Sequence, residues 1–250
     1  MGTYVGVDWA AGDWIAFALD GAATEEDGWT VGTYPSVLNV WHEYRRADHI
    51  LVDVPIGLPE EDVRECDERA KEELGDRRSS VFETPCRAAV EADAYDEARR
   101  LNEDALGRGI SAQAWGIVPR IREVDVFLAE HGAADGTVRE SHPELCFRGL
   151  DTAGVIDASK HDEDGLEQRR TVLAGVDAEM GRIYERIVDE YVEVDPAFAR
   201  PISTNARDDV LDAMALALTA REAGDDLETL PESPPRDAER RRMEIAYHAR

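Results

Sequence analysis

The stretch Arg207-Asp208-Asp209-Val210-Leu211-Asp212-Ala213-Met214-Ala215-Leu216-Ala217-Leu218-Thr219-Ala220 constrains the fold more than any other. After its aspartates it holds only small and apolar residues and one threonine. A helix this apolar on every side is buried. Asp209 and Asp212 are three residues apart, so they lie within about 60° of each other on one face. Carboxylates on the first turns of a buried helix look into a core or a cleft, where charge is costly unless it is paired or metal-bound. A helix N-terminus also favours acids for its own sake, and Asp208 is the N-cap that the pattern predicts. A cap uses one acid, which leaves Asp209 and Asp212 as site candidates.

Working from the N-terminus, residues 4–8 alternate and are rich in β formers, and Ala10-Ala11-Gly12 reads as a turn. Residues 13–19 and 28–34 read as a second and a third strand, and such short connections make an antiparallel meander. Pro35 and Ser36 open an amphipathic helix over 37–44 with Arg45 and Arg46 in its last turn. His49-Ile50-Leu51-Val52-Asp53-Val54 is a nearly continuous apolar run, as in a strand buried on both faces and parallel to its neighbour. Residues 60–131 read as a helical insertion into a single domain over 1–250. A fifth strand is expected over 137–142, one long helix over 165–190, and a linker at 231–235. The segment 243–247 reads as an edge strand. The expected class is α/β: a mixed sheet with an antiparallel first three strands, parallel fourth and fifth, and helices on both faces.

On this outline Asp8 closes the first strand, Asp53 closes the fourth, and Glu144 follows the fifth. If strands one and four are adjacent and parallel, Asp8 and Asp53 leave the same sheet edge. An aspartate ending a strand is an ordinary turn residue, so Asp8 alone says little. Asp53 says more, because it interrupts an apolar strand between two valines. Carboxylates packed together cannot all stay ionised without a cation. Mg²⁺ or Mn²⁺, hard ions that prefer oxygen, answer that need. Two such ions about 4 Å apart would activate water and stabilise a leaving oxygen in phosphodiester hydrolysis. His142, before Pro143, reads as a hydrogen-bonded structural histidine.

Charge bears on both habitat and partner. The formal net charge is −27, and lysine occurs only at Lys71 and Lys160. Such a chain repels itself at low salt, whereas at about 1 M salt the Debye length is only ~3 Å. A high-salt, halophilic cytoplasm is therefore the expected setting. Against that background the basic residues stand out. Arg77-Arg78-Ser79-Ser80, Arg120 with Arg122, and Lys160 with Arg169 are candidate phosphate or substrate contacts. Trp115 reads as a base-stacking residue or, more ordinarily, as core. Cys66, Cys86 and Cys146 are odd in number and far apart, as expected of reduced structural thiols. The start of the chain reads as a strand and not as a signal peptide, and no membrane-spanning run is present.

These residues carry a resemblance. The strand order, with acids after strands one and four and a helical Asp209-x-x-Asp212-Ala213 near the end, resembles the RNase H-like superfamily. The terminal helix is similar to that of RuvC-type Holliday-junction resolvases. The whole chain more closely resembles a family described as predicted RNase H-like nucleases (domain of unknown function 429). Gly6-Val7-Asp8-Trp9-Ala10, Val52-Asp53-Val54-Pro55-Ile56-Gly57-Leu58-Pro59, Arg64-x-Cys66-Asp67 and Arg77-Arg78-Ser79-Ser80-Val81-Phe82 carry it. So do Gln113-Ala114-Trp115-Gly116-Ile117, Ser141-His142-Pro143-Glu144, Lys160 with Gly165 and Arg169, and Asp208-Asp209-Val210-Leu211-Asp212-Ala213. The resemblance implies a nuclease in which Asp8, Asp53, Glu144, Asp209 and Asp212 are the metal ligands and catalytic acids.

The expected activity is thus Mg²⁺- or Mn²⁺-dependent hydrolysis of nucleic acid, with the oligomeric state open. Two rivals belong to other classes. An actin-like phosphotransferase also ends its first strand in Gly-x-Asp, but it needs glycine-rich phosphate loops, and none follows Asp8. A non-catalytic nucleic-acid-binding or regulatory module could keep the fold alone.

Overall fold

The computed structural model describes residues 2–10, 12–21 and 28–249. In chain order the strands and helices are β1 Thr3–Ala10, β2 Asp13–Asp20, β3 Trp29–Tyr34, α1 Val37–Tyr44, β4 His49–Val52, α2 Glu65–Leu74, α3 Arg87–Glu91, α4 Tyr95–Leu106, α5 Ala112–Glu130, β5 Val138–Glu140, α6 Pro143–Leu150, α7 Glu163–Val176, α8 Glu179–Ile187, α9 Arg207–Ala223, β6 Glu228–Leu230 and β7 Ile245–Tyr247. The fold is α/β, with a mixed five-stranded sheet in the order β3-β2-β1-β4-β5. Ala11, in the turn expected after β1, lies outside the described residues. Among the described residues no helix is long and apolar enough to cross a membrane.

The chain divides into two compact units. The first comprises residues 1–53, 142–227 and 247–250, and the second comprises 54–141 and 228–246. In the first unit β1 pairs antiparallel with β2, and β2 with β3, as the short connections predict. β1 pairs parallel with β4 in a register that sets Val7 against Val52. The apolar run 49–54 is therefore a buried inner strand through Val52, and the Asp53 N–H extends the ladder by donating to Val7 O at 3.0 Å. α9 is buried along its length from Val210 to Arg221. It lies directly on β1. A Cβ on Gly6 would overlap the Ala213 carbonyl and stand 2.5 Å from Ala217 N. Glycine on the strand and alanines on the helix are what this approach requires.

Two expectations in this unit need correction. The single helix expected over 165–190 is two helices. Asp177 ends α7, and its carboxylate then accepts from Glu179 N–H at 3.1 Å and pairs with Arg221 at 2.8 Å. A short side chain that bonds local backbone competes with helix continuation. After α8 the chain runs into one π-helical turn, Val188–Val192. Asp208 is not the N-cap of α9. Ala206 holds that position, and Asp208 instead meets His161 Nδ1 at 3.2 Å.

In the second unit the segment expected to be helical contains α2 to α5. Its buried ion cluster was not anticipated. Arg64 bonds both Glu140 oxygens at 2.7 Å and pairs with Asp67 at 2.5 Å, while Asp67 also accepts from Thr84 N–H at 2.8 Å and Glu140 from Ile56 N–H at 2.6 Å. Fully satisfied in this way, buried charges are tolerated. Arg122, grouped above with the phosphate contacts, is spent on the Val90 and Ala92 carbonyls, and Arg120 pairs with Glu123. Trp115 packs against Tyr95 beside the apolar cluster of α3, α4 and α5. Residues 228–230, not expected to be regular, form β6 and pair with β7.

Candidate functional site

Asp8 lies within β1, and its backbone is fixed by pairing with Ile15 of β2. The residue is 6% exposed, and one carboxylate oxygen accepts from Trp9 N–H at 2.6 Å. Asp53 follows β4 one position beyond the Val7–Val52 pair, so the two aspartates leave neighbouring positions of parallel strands. Asp209 and Asp212 come from the first turns of α9, the helix that lies on β1. Asp212 is fully buried.

The four carboxylates lie within one another's fields. Burial pushes the Asp8 carboxyl well above the usual range, and Asp53, Asp212 and Asp209 push it further. Burial raises Asp53 to about 7 against the pull of Lys160, with Asp212 and Glu144 adding to the rise. Asp209 also reaches about 7, through burial and then the charges of Asp208 and Asp212. Asp212 is raised by burial while Lys160 lowers it. These are the expected marks of like charges confined together with too few counter-ions.

Lys160 supplies one counter-ion. Its Nζ lies 2.7 Å from Asp212 Oδ2. Burial alone would pull the ammonium down, but Asp212, Asp8 and Asp53 outweigh it and raise its pKa. Lys160 is thus placed among the acids and not in an open phosphate loop. Arg169 is likewise turned inward. It is 2% exposed, ion-paired with Glu144 and stacked over Phe147 at 5.3 Å. Its guanidinium is committed to the protein, which corrects its reading as a substrate contact. Glu144, on α6, borders the cluster through its charge on Asp53 and Asp212. His142 caps α6, its Nδ1 accepting from Glu144 N–H at 3.2 Å, which is the structural role expected of it. Cys146 is a buried thiol outside any disulfide. Arg77, Arg78, Ser79 and Ser80 form a 3₁₀ turn in the second unit. Arg78, Ser79 and Ser80 are exposed, and Ser80 Oγ donates to Arg77 O at 2.9 Å.

A family model described as "Protein of unknown function (DUF429)" matches residues 6–236. The chain belongs to this family. No curated protein and no solved structure matches it. The span matched by the DUF429 model contains all four aspartates, Glu144, Lys160 and Arg169.

Two observations bear on whether a hard divalent cation suits this DUF429 site. The donor set is all carboxylate oxygen, which Mg²⁺ and Mn²⁺ prefer. Asp212 Oδ1 is buried with no hydrogen-bond partner, an unsatisfied acceptor inside the cluster. As the side chains stand, no group of three or more His, Cys, Asp or Glu among the described residues is set to hold a metal ion. The residue types and the orphaned oxygen fit such an ion. The cation now beside that oxygen is the ammonium of Lys160, which contacts Asp212 through Oδ2 alone.

Proposed function

We propose that this protein is a nuclease that hydrolyses phosphodiester bonds of nucleic acid with Mg²⁺ or Mn²⁺ held by Asp8, Asp53, Asp209 and Asp212. The observation that carries this reading is the convergence of four aspartates, Asp8 from within β1 rather than at its end as expected, Asp53 just after β4, and two from one buried helix, with Asp212 Oδ1 left unpartnered. We also read the sheet as RNase H-like. Its antiparallel β1-β2-β3, its β4 parallel to β1, and a late helix carrying two acids support that reading. The divalent ion would supply Lewis-acid stabilisation of the phosphate and activation of water. The chain's own groups do the positioning. The β1–β4 ladder sets Asp8 and Asp53 side by side, and α9 holds Asp209 and Asp212 over them. Arg169 holds Glu144 as the fifth carboxylate of the site. Arg77 and Arg78, with Ser79 and Ser80, remain candidate phosphate contacts within the second unit, by their residue types alone.

The acidic surface belongs to the same reading. A polyanion approaches a chain of net charge −27 only when salt screens it. We therefore place the protein in a halophilic cytoplasm. The test is cleavage of a panel of labelled DNA, RNA and branched substrates with Mn²⁺ at about 2 M KCl, beside Asp53→Asn. The wild type should cut at least one substrate and the variant should fall to background. Equal cleavage by both proteins contradicts the assignment.

A further inference from the structure

The second lysine of the chain sits in the acid cluster, and its setting gives it a defined task. The backbone that carries Lys160 is clamped to α7. The N–H groups of Asp157 and Ala158 both donate to Gln168 Oε1 at 2.9 Å. Gly165, in the first turn of α7, lies so close to the Ser159 carbonyl that a Cβ there would overlap it. The main chain at 157–159 is therefore held, while Lys160 keeps a flexible four-carbon stem. The Lys160 side chain is 30% exposed, and Asp212, its partner, is not exposed at all. The ammonium thus reaches inward from the rim and covers one oxygen of Asp212. It leaves the other oxygen, Oδ1, buried and bare.

One ammonium cannot neutralise four carboxylates, and a doubly charged ion among the same oxygens would repel it. We propose that Lys160 is the resident cation of the metal-free site and that a divalent ion enters by exchange with it. The ion takes Asp212 from Lys160, and the ammonium swings on its stem toward solvent. Lys160 then sets the affinity of the site for metal and offsets the repulsion among the acids when no metal is bound. This proposal rests on the divalent-ion reading above, which it deepens.

The chain carries only Lys71 and Lys160, so amine labelling reads the exchange directly. The full-length protein, stripped with EDTA, is pulse-acetylated without and with saturating Mn²⁺. Peptide mass spectrometry then quantifies both lysines, and calorimetry on the same samples measures Mn²⁺ binding. Lys71, held 3.1 Å from Glu83 in the second unit, is the reference. Lys160 labelling should rise several-fold with Mn²⁺ while Lys71 stays constant. Lys160→Met should bind Mn²⁺ at least about tenfold more tightly than the wild type. It should also melt lower in EDTA and recover with Mn²⁺. Asp53-dependent Mn²⁺ binding with unchanged Lys160 labelling overturns the exchange and leaves the metal site standing. Weaker Mn²⁺ binding by Lys160→Met overturns it as well. Absence of Asp53-dependent Mn²⁺ binding overturns both readings.

Discussion

Asp53 and Arg169 show how single side chains at the site depend on what surrounds them. The Asp53 carboxyl titrates near 7 in the fold against about 4 in a free chain, so the folded state binds the extra proton between those values. Stability from this group is fully present below about pH 4 and is lost as pH rises through about 7. In EDTA, Asp53→Asn should therefore match the wild type near pH 4 and melt higher at pH 8. The gap is on the order of 2–4 kcal/mol, seen as a Tm difference that grows with pH. A gap that is constant with pH would contradict the raised carboxyl. Arg169 acts in the opposite sense. Removing it leaves Glu144 charged and buried, so Arg169→Met should cost about 3–5 kcal/mol in denaturant unfolding. Adding Glu144→Gln to that variant should recover part of the loss.

The element that matters most is α9, and its contact with β1 is tight enough to be tested by one methyl group. Gly6→Ala places a carbon against the backbone of Ala213 and Ala217 in α9, from a strand that is itself held by pairing with β2 and β4. Neither backbone can give way locally, so a loss of about 3 kcal/mol is expected, roughly 6–12 °C in Tm for a chain of this length. A variant within 2 °C of the wild type, by this scale, would show that α9 and β1 are not held this closely. The elements themselves were legible where the pattern was long and local. The alternation of residues 4–8 and 13–19, the apolar run at 49–54 and the uniformly apolar 210–220 all gave the right structure. The break at Asp177 was not legible, because the pattern on either side keeps one helical period and the decision lies in a side-chain bond to the backbone. β6 was missed because three residues before a Pro231-rich stretch pair with a strand that comes fifteen residues later in the chain.

Across the whole molecule, charge is the dominant property. Fifty-five acidic residues against twenty-eight basic ones repel at low ionic strength. Raising KCl from about 0.1 to 2 M shortens the Debye length from about 10 Å to below 3 Å. The melting temperature should climb steadily over that range, and a flat or falling curve would remove the halophilic reading. The site was legible in the sequence only in part, and for a reason of the same scale. Asp53 announces itself by interrupting an apolar run of sequence, and Asp209 and Asp212 by opening a buried helix. Asp8 gains meaning only from the β1–β4 register. The pairing of Lys160 with Asp212 spans 52 residues, and that of Arg64 with Glu140 spans 76, so no local pattern reports them. The scarcity of lysine and the family resemblance both pointed to Lys160, and they named the residue without its place.

Asp8, Asp53, Asp209 and Asp212 are proposed to form one divalent-metal centre. Crystals grown at high salt and soaked in Mn²⁺ test it most directly through the anomalous scattering of the ion. A peak is expected about 2.0–2.4 Å from carboxylate oxygens of Asp8, Asp53 and at least one of the α9 aspartates, with Lys160 Nζ withdrawn from Asp212. No anomalous peak within reach of these four residues at saturating Mn²⁺ would contradict it.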